Sequence, residues 1–305
     1  MYFIGVTTAQ SSINAVFPLW TERLKLGDCE LRGIDFPLHD RPEHYRAAID
    51  FIKSDPLSLG ALVTTHKIDL HHACVDQFDA IDPLTRSLGE ISSIFKRDGR
   101  LHGRTVDPWT SGYALQSFLP PDHWLGAAET LILGAGGAGT ALTWHLSKRE
   151  LGENRPARIH VADRLKVRLE ALQRLHASWP DATPLEAHYV SEPDVANEVL
   201  RQLPAASLVV NATGVGKDVP GSPLTIDAVF PERGLVWEFN YRGDLVFLEQ
   251  ARAQQASRKL HVEDGWRYFL HGWTRVIADV FDRDIPTEGS LFEELGQIAA
   301  SVRSK

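Results

Sequence analysis

Apolar positions along the chain switch between two periods. Short continuous apolar runs of strand length occur at Tyr2 to Val6, Cys29 to Phe36 and Leu59 to Thr65. Between them, helical spacing places Phe17, Leu19, Trp20, Leu24 and Leu26 on one stripe within Val16 to Leu26, and Tyr45, Ala48, Ile49 and Ile52 on another within Arg41 to Ile52. A helical stretch follows Lys67 through Phe78, and Leu88 to Phe95 is expected to pair with Arg100 to Arg104 across the turn Arg97-Asp98-Gly99. From Pro108 a helix runs until Leu119-Pro120-Pro121 breaks it. Four further apolar runs, Thr130 to Leu133, Arg158 to Ala162, Ser207 to Asn211 and Leu235 to Phe239, are interleaved with helical segments, and Ala187 to Val190 offers a fifth. Runs buried on both faces and separated by helices predict parallel strands in a doubly wound sheet. Past Gly265 the pattern changes to an aromatic helical stripe of Trp266, Phe269, Leu270, Trp273, Val276 and Ile277, followed by a helix over Leu291 to Val302.

The expected class is α/β throughout. A chain of 305 residues exceeds what one core usually supports, and the change of pattern divides it: an N-terminal α/β domain over 1–109, a doubly wound Rossmann-type domain over 110–264, and C-terminal helices over 265–305. Hydrophobic residues at 43% and charged residues at 24% describe an ordinary globular protein. A formal charge of −8 without a basic run gives no electrostatic case for nucleic acid. Two cysteines, Cys29 and Cys74, are too few for a disulfide framework or a structural zinc site. No secretory leader and no membrane-length apolar stretch is visible, so a cytoplasmic protein that takes a small molecule, as monomer or homodimer, is expected.

Chemistry first appears at Leu131-Ile132-Leu133-Gly134-Ala135-Gly136-Gly137-Ala138-Gly139-Thr140. A strand, a glycine-dense turn and a helix in this order build a dinucleotide site. Gly134 permits the tight turn, Gly136 and its neighbours Gly137 and Ala138 let backbone approach a pyrophosphate, and Gly139 lets helix pack on strand. Asp163, at the end of the next strand, stands where an acid meets the adenosine ribose hydroxyls. The loop Ala212 to Gly216, after Asn211, follows the third strand to the edge where nucleotide is expected.

In the N-terminal domain, Lys67 and Asp107 each stand at the end of a predicted strand. If they face one cleft, the carboxylate holds the ammonium and the lysine exchanges a proton with a substrate hydroxyl. His66, His71 and His72 form no ligand set at metal spacing, and no metal site is expected.

With these motifs laid out in order, the chain resembles the shikimate and quinate dehydrogenases. The residues that carry the resemblance are Gln10-Ser11-Ser12-Ile13, Ala61 to Lys67, Gly89-Glu90-Ile91-Ser92-Ser93, Thr105-Val106-Asp107, Gly134 to Ala138, Asn211-Ala212-Thr213 and Gly265 to Gly272. The resemblance implies reversible NAD(P)-dependent oxidation of a secondary alcohol, with Lys67 as catalytic lysine and Asp107 as its partner. It implies substrate contacts from Ser11, Ser92, Ser93 and Tyr241, cofactor contacts from Asn211 and Thr213, and C-terminal helices that return to the substrate domain.

The family pattern is also altered. Its second carboxylate-binding serine falls at Ile13, the Asn and Thr of Asn-Val-Thr-x-Pro-x-Lys at Ala61 and Val63, the Asn of Val-Asn-Thr at Ser92, and the last Gln at Gly272. A one-residue slip brings Thr64 into the missing threonine's place. These changes point to an altered recognition shell and a substrate lacking the carboxylate or some hydroxyls as the alternative to shikimate or quinate. Asp163 in place of the family's NADP-linked Asn favours NAD over NADP, while Arg164 remains available to a 2′-phosphate. The alternative outside enzymes is a non-catalytic nucleotide-binding regulator.

Overall fold

The computed structural model describes residues 1–217 and 219–303. Two compact units emerge, one formed by Met1–Thr110 together with the segment from Leu270, the other by Ser111–Phe269. The boundary falls inside two helices.

In the first unit the chain runs β1 (Tyr2–Gly5), α1 (Ile13–Leu24), β2 (Arg32–Asp35), α2 (Pro42–Ser54), β3 (Gly60–Val63), α3 (Lys67–Cys74), β4 (Ala80–Ile81), α4 (Pro83–Leu88), β5 (Ser93–Arg97) and β6 (Arg100–Arg104), then enters α5 (Asp107–Gln116). The six strands lie in the order β2-β1-β3-β5-β6-β4. β1 is parallel to β2 and β3, β5 is antiparallel to both of its neighbours β3 and β6, and β4 is parallel to β6. The hairpin β5–β6 closes through Asp98 and Gly99 at φ 52° and 69°, the left-handed pair that matches the strands' twist. Leu88 to Phe95 is only partly a strand. Asp82 caps α4 by accepting from the Thr85 N–H, so Leu88 ends that helix and pairing starts at Ser93.

The core of this unit gathers Ile4, Tyr45, Ile49, Ile52, Ala61, Val63, Leu70, Ile91 and Ile94. The segment from Leu270 completes the unit. Trp273 sets its ring edge-on to Phe3 with centroids 4.9 Å apart, and Trp20 Nε1 on α1 donates to the Leu295 carbonyl at 2.9 Å. Arg23 pairs with Glu294 through both guanidinium arms.

The second unit continues through β7 (Thr130–Leu133), α6 (Gly137–Ser147), β8 (Ile159–Asp163), α7 (Lys166–His176), β9 (Leu185–Tyr189), α8 (Pro193–Gln202), β10 (Leu208–Asn211), β11 (Leu235–Glu238), α9 (Val246–Arg258) and β12 (His261–Glu263). Two helices remain, α10 (Trp266–Phe281) and α11 (Ser290–Ser301). All six strands of this unit are parallel in the order β12-β11-β10-β7-β8-β9, a doubly wound sheet whose order reverses at β7. Successive residues face opposite layers. Ile132, Leu208, Val210 and Trp237 enter one apolar cluster, and Leu131, Leu133, Val209 and Val236 enter the other. Two-sided burial is why these strands read as unbroken apolar runs. The sixth strand, β12, is absent from the sequence reading: it has three residues, His261-Val262-Glu263, two of them polar, at the sheet edge.

Among the described residues no helix is long and apolar enough to cross a membrane.

Candidate active site

Lys67 and Asp107 do not end strands. Each is the first residue of a helix, Lys67 of α3 and Asp107 of α5, reached by short turns beyond β3 and β6. The turn into α3 is anchored by His66, which is buried, bonds through Nδ1 to the Tyr45 hydroxyl at 3.0 Å and meets Phe36 edge-on. Thr65, one residue earlier, sits at φ 58°. That is the left-handed region, which a β-branched residue enters only under constraint, and which the proline of the family motif could not adopt.

The Lys67 ammonium donates to the Asp107 carboxylate, with side chains only 14% and 7% exposed. Burial pulls the Lys67 pKa down, but the charges of Asp107 and Glu90 and the bond to Asp107 outweigh it, so the net displacement is upward. The pair therefore holds a protonated lysine at neutral pH.

Glu90 is the residue that sequence reasoning passed over. It lies in the bend between α4 and β5, is 1% exposed, and accepts from the Thr105 hydroxyl at 2.6 Å. Its second oxygen is buried without a hydrogen-bond partner. Burial, then the charge of Asp107, pushes its pKa up to about 7, against the opposing pull of Lys67 and Thr105. The available signal was an acid inside the otherwise apolar and hydroxylic stretch Leu88 to Phe95, where the family motif has Ala.

The expected substrate shell looks different once burial is known. Ser92 is buried and its Oγ accepts from the Val106 N–H at 2.8 Å, which steadies the turn carrying Asp107. Ser93 Oγ donates to Asp279 Oδ2 at 3.0 Å, and Arg104 holds the other oxygen of that carboxylate at 2.9 Å. Both serines serve the fold of the first unit. Ser11 is buried, with Oγ accepting from the Ile13 N–H at 3.4 Å, while Thr64 is half-buried. Ile13, Ala61 and Val63 are packed in the interior, so these substitutions exchange polar groups for core. Gly272 differs: a Cβ there meets nothing within 4 Å, leaving open the space a longer side chain would take.

In the second unit Gly134, at φ 108°, turns the chain out of β7. A Cβ at Gly139 would lie 1.9 Å from the Gly134 carbonyl oxygen, so only glycine lets α6 pack there. Gly136, Gly137 and Ala138 are half-exposed at the start of α6, and a Cβ on Gly136 would meet only an Arg168 nitrogen at 4.0 Å. Open backbone at a helix N-terminus fits a pyrophosphate. Asp163 is buried, with one oxygen accepting from the Ala135 N–H at 2.7 Å and the other from Leu165 N–H at 2.8 Å. It thus fixes the glycine loop from below, and Arg164 beside it is exposed.

Asn211 lies under its loop and not on the loop's surface. Its amide nitrogen donates to Glu238 at 2.6 Å and its oxygen accepts from the Thr213 N–H and hydroxyl at 3.1 and 2.6 Å. Glu238 is fully buried and accepts twice from Asn240; burial pushes its pKa up to about 8. Tyr241 packs its ring on Phe269 with centroids 4.4 Å apart. Histidines 66, 71 and 72 form no metal-competent group. Among the described residues that property belongs to His160, Glu186 and His188, none of which the sequence reading singled out for a metal.

No family model matches the chain. It is 31% identical over 221 residues to "Shikimate dehydrogenase (NADP(+))" of Streptococcus thermophilus, covering 72% of each chain. Solved structures with the same fold include shikimate 5-dehydrogenase from Thermus thermophilus in complex with shikimate, at TM-score 0.70 and 24% identity over 98% of this chain and 97% of that one. Quinate dehydrogenase from Corynebacterium glutamicum in complex with NAD matches at TM-score 0.69 and 18% identity, over 98% of each chain. Identity of this extent, together with the ordered motifs, places the chain in the shikimate dehydrogenase family.

Proposed function

We propose that the protein is an NAD(P)-dependent dehydrogenase that interconverts a secondary alcohol and its ketone, with Lys67 as proton-exchanging residue and Asp107 as its partner. The buried Lys67–Asp107 ion pair carries this reading. Gly134, Gly136, Gly137 and Ala138 hold the dinucleotide pyrophosphate, and Asp163 fixes the loop and meets the ribose. A nicotinamide bound there supplies the two-electron acceptor or donor. Lys67, held protonated, gives its proton to the oxygen of the ketone as that oxygen gains charge. In the opposite direction it must first lose its proton, so alcohol oxidation accelerates towards alkaline pH. Asp107 keeps the ammonium pointed and compensates its burial.

The substrate is a cyclic polyhydroxy acid of the shikimate or quinate type. A second reading, a neutral polyol or its ketone, is favoured by the open space at Gly272, where the family pattern has Gln. The cofactor is NAD: a carboxylate at position 163 accepts ribose hydroxyls and repels a 2′-phosphate.

The test is turnover followed by nicotinamide absorbance on shikimate, quinate and a panel of uncharged polyols. Lys67→Ala is expected to lower kcat by roughly 10²–10⁴ with dinucleotide affinity unchanged; near wild-type turnover removes the assignment. Robust activity on shikimate removes the second reading. Cofactor binding with no turnover across the panel instead supports a regulatory nucleotide-binding protein.

A further inference from the structure

On one face of the parallel sheet, β8 and β9 bring together side chains that the proposed dehydrogenase reaction does not use. His160 on β8 stands opposite Glu186 on the edge strand β9, and His188 follows Glu186 by one strand repeat on the same face. His160 Nδ1 and His188 Nε2 face each other at 2.9 Å. Glu186 aims one oxygen at each ring, 3.9 Å from His160 Nδ1 and 3.9 Å from His188 Nε2. We propose that His160, Glu186 and His188 form a binding site for a divalent transition-metal ion, with Zn²⁺ the ion the donor set fits, clasping the edge strand to its neighbour.

Four observations support the assignment. The donor set is two imidazoles and a carboxylate, which suits zinc, copper, nickel or cobalt and not the all-oxygen cations. The spacing fits: metal–nitrogen bonds of about 2.0–2.1 Å in a tetrahedron place donor atoms roughly 3.3 Å apart, a value bracketed by the 2.9 Å between the two nitrogens and the 3.9 Å from Glu186 Oε1 to His188 Nε2.

The tautomers also fit. His160 Nε2 lies 2.8 Å from Glu129 Oε2, and a carboxylate only accepts, so in the neutral ring the proton sits on Nε2 and the Nδ1 lone pair faces His188, accepting from its Nε2–H. A histidine ligand whose far nitrogen donates to a carboxylate is the usual outer support of a metal. To ligate through Nε2, His188 moves its proton to Nδ1, so the hydrogen bond between the rings gives way to the metal.

The fourth observation is access: His160 is 9% exposed, while Glu186 is exposed and opens the group to solvent. Arg158 contacts Glu186 Oε2 at 3.2 Å, which leaves Oε1 to the metal and competes with the ion for this carboxylate alone.

The experiment uses the full, untagged chain stripped with EDTA. Titration with Zn²⁺ by calorimetry is expected to give one site per chain with micromolar or tighter affinity, and Co²⁺ to give visible d–d absorption. Added Zn²⁺ raises Tm by several degrees, as any ligand of the native state does. His188→Ala and Glu186→Gln, both on the edge strand, weaken Zn²⁺ by at least tenfold without changing Tm in EDTA by more than a few degrees. Glu129→Gln, which neutralises the carboxylate behind His160 and beside Arg158, weakens it by roughly 10–100-fold, and His261→Ala, at the opposite edge, leaves it unchanged. Should His188→Ala fail to fold, the exposed Glu186→Gln and Glu129→Gln decide alone. A wild-type chain that binds no Zn²⁺, or variants that bind it as tightly as wild type, overturns the site.

Discussion

Replacing Glu90 by Gln separates the energetic role of this buried acid from its shape. Burial lifts its pKa from an ordinary 4.5 to about 7. The unfolded chain sheds the proton first, so between these values the unfolded state binds fewer protons and stability falls as pH rises. The stabilising contribution of the protonated form is complete below the unfolded value and gone above the folded one. At about 1.4 kcal/mol per unit, the wild-type chain loses about 2–3 kcal/mol from this group between roughly pH 5 and pH 8.5. Glu90→Gln keeps an acceptor for the Thr105 hydroxyl and does not titrate. Urea unfolding of both proteins at the two pH values gives the quantity as a difference of differences, in which any fixed penalty of the amide cancels. Glu238, displaced in the same direction, is present in both proteins and cancels too. A difference below about 0.5 kcal/mol refutes the argument. The same substitution removes a negative charge near Lys67, so the rise of alcohol oxidation with pH moves to lower pH in the variant.

Three other outcomes follow from single positions. Thr65→Gly relieves a left-handed β-branched residue at φ 58° and raises stability by about 1 kcal/mol, read as a Tm increase; an unchanged or lower Tm contradicts the strain. Gly139→Ala pushes a methyl to 1.9 Å from the Gly134 carbonyl and costs about 1–3 kcal/mol. It raises KM for the dinucleotide, and wild-type cofactor kinetics contradict the packing role. Asp163→Asn removes the charge facing a 2′-phosphate and shifts kcat/KM towards NADP by tenfold or more; an unchanged NAD-to-NADP ratio shows that Asp163 does not choose the cofactor.

The nucleotide-binding sheet was the most legible part of the sequence because burial on both faces writes a strand as an unbroken apolar run. The strand β12 escaped for the converse reason, since an edge strand of His261-Val262-Glu263 resembles any loop. In the first unit, residue types were readable and their facing was not. Lys67 and Asp107 read as a pair at strand ends, because turns of only three and two residues separate β3 and β6 from the helices that these residues begin. Ile13, Ala61 and Val63 read as lost polar contacts, yet all are interior. Only depth tells a missing substrate contact from a core position, and depth belongs to the tertiary fold. Glu90 and the His160–Glu186–His188 group depend on pairing across elements, which one-dimensional spacing does not carry.

The first unit is assembled from both ends of the chain, with Trp273 against Phe3 and Leu295 bonded to Trp20. During synthesis, therefore, the strands from Tyr2 to Arg104 leave the ribosome long before the helices that cover part of their apolar surface. At roughly 5–20 residues per second, the wait is on the order of 10–40 s, during which the intervening sheet has all of its strands. The N-terminal layer is thus the segment most exposed to premature association, and its nascent form is where a chaperone gains most by binding.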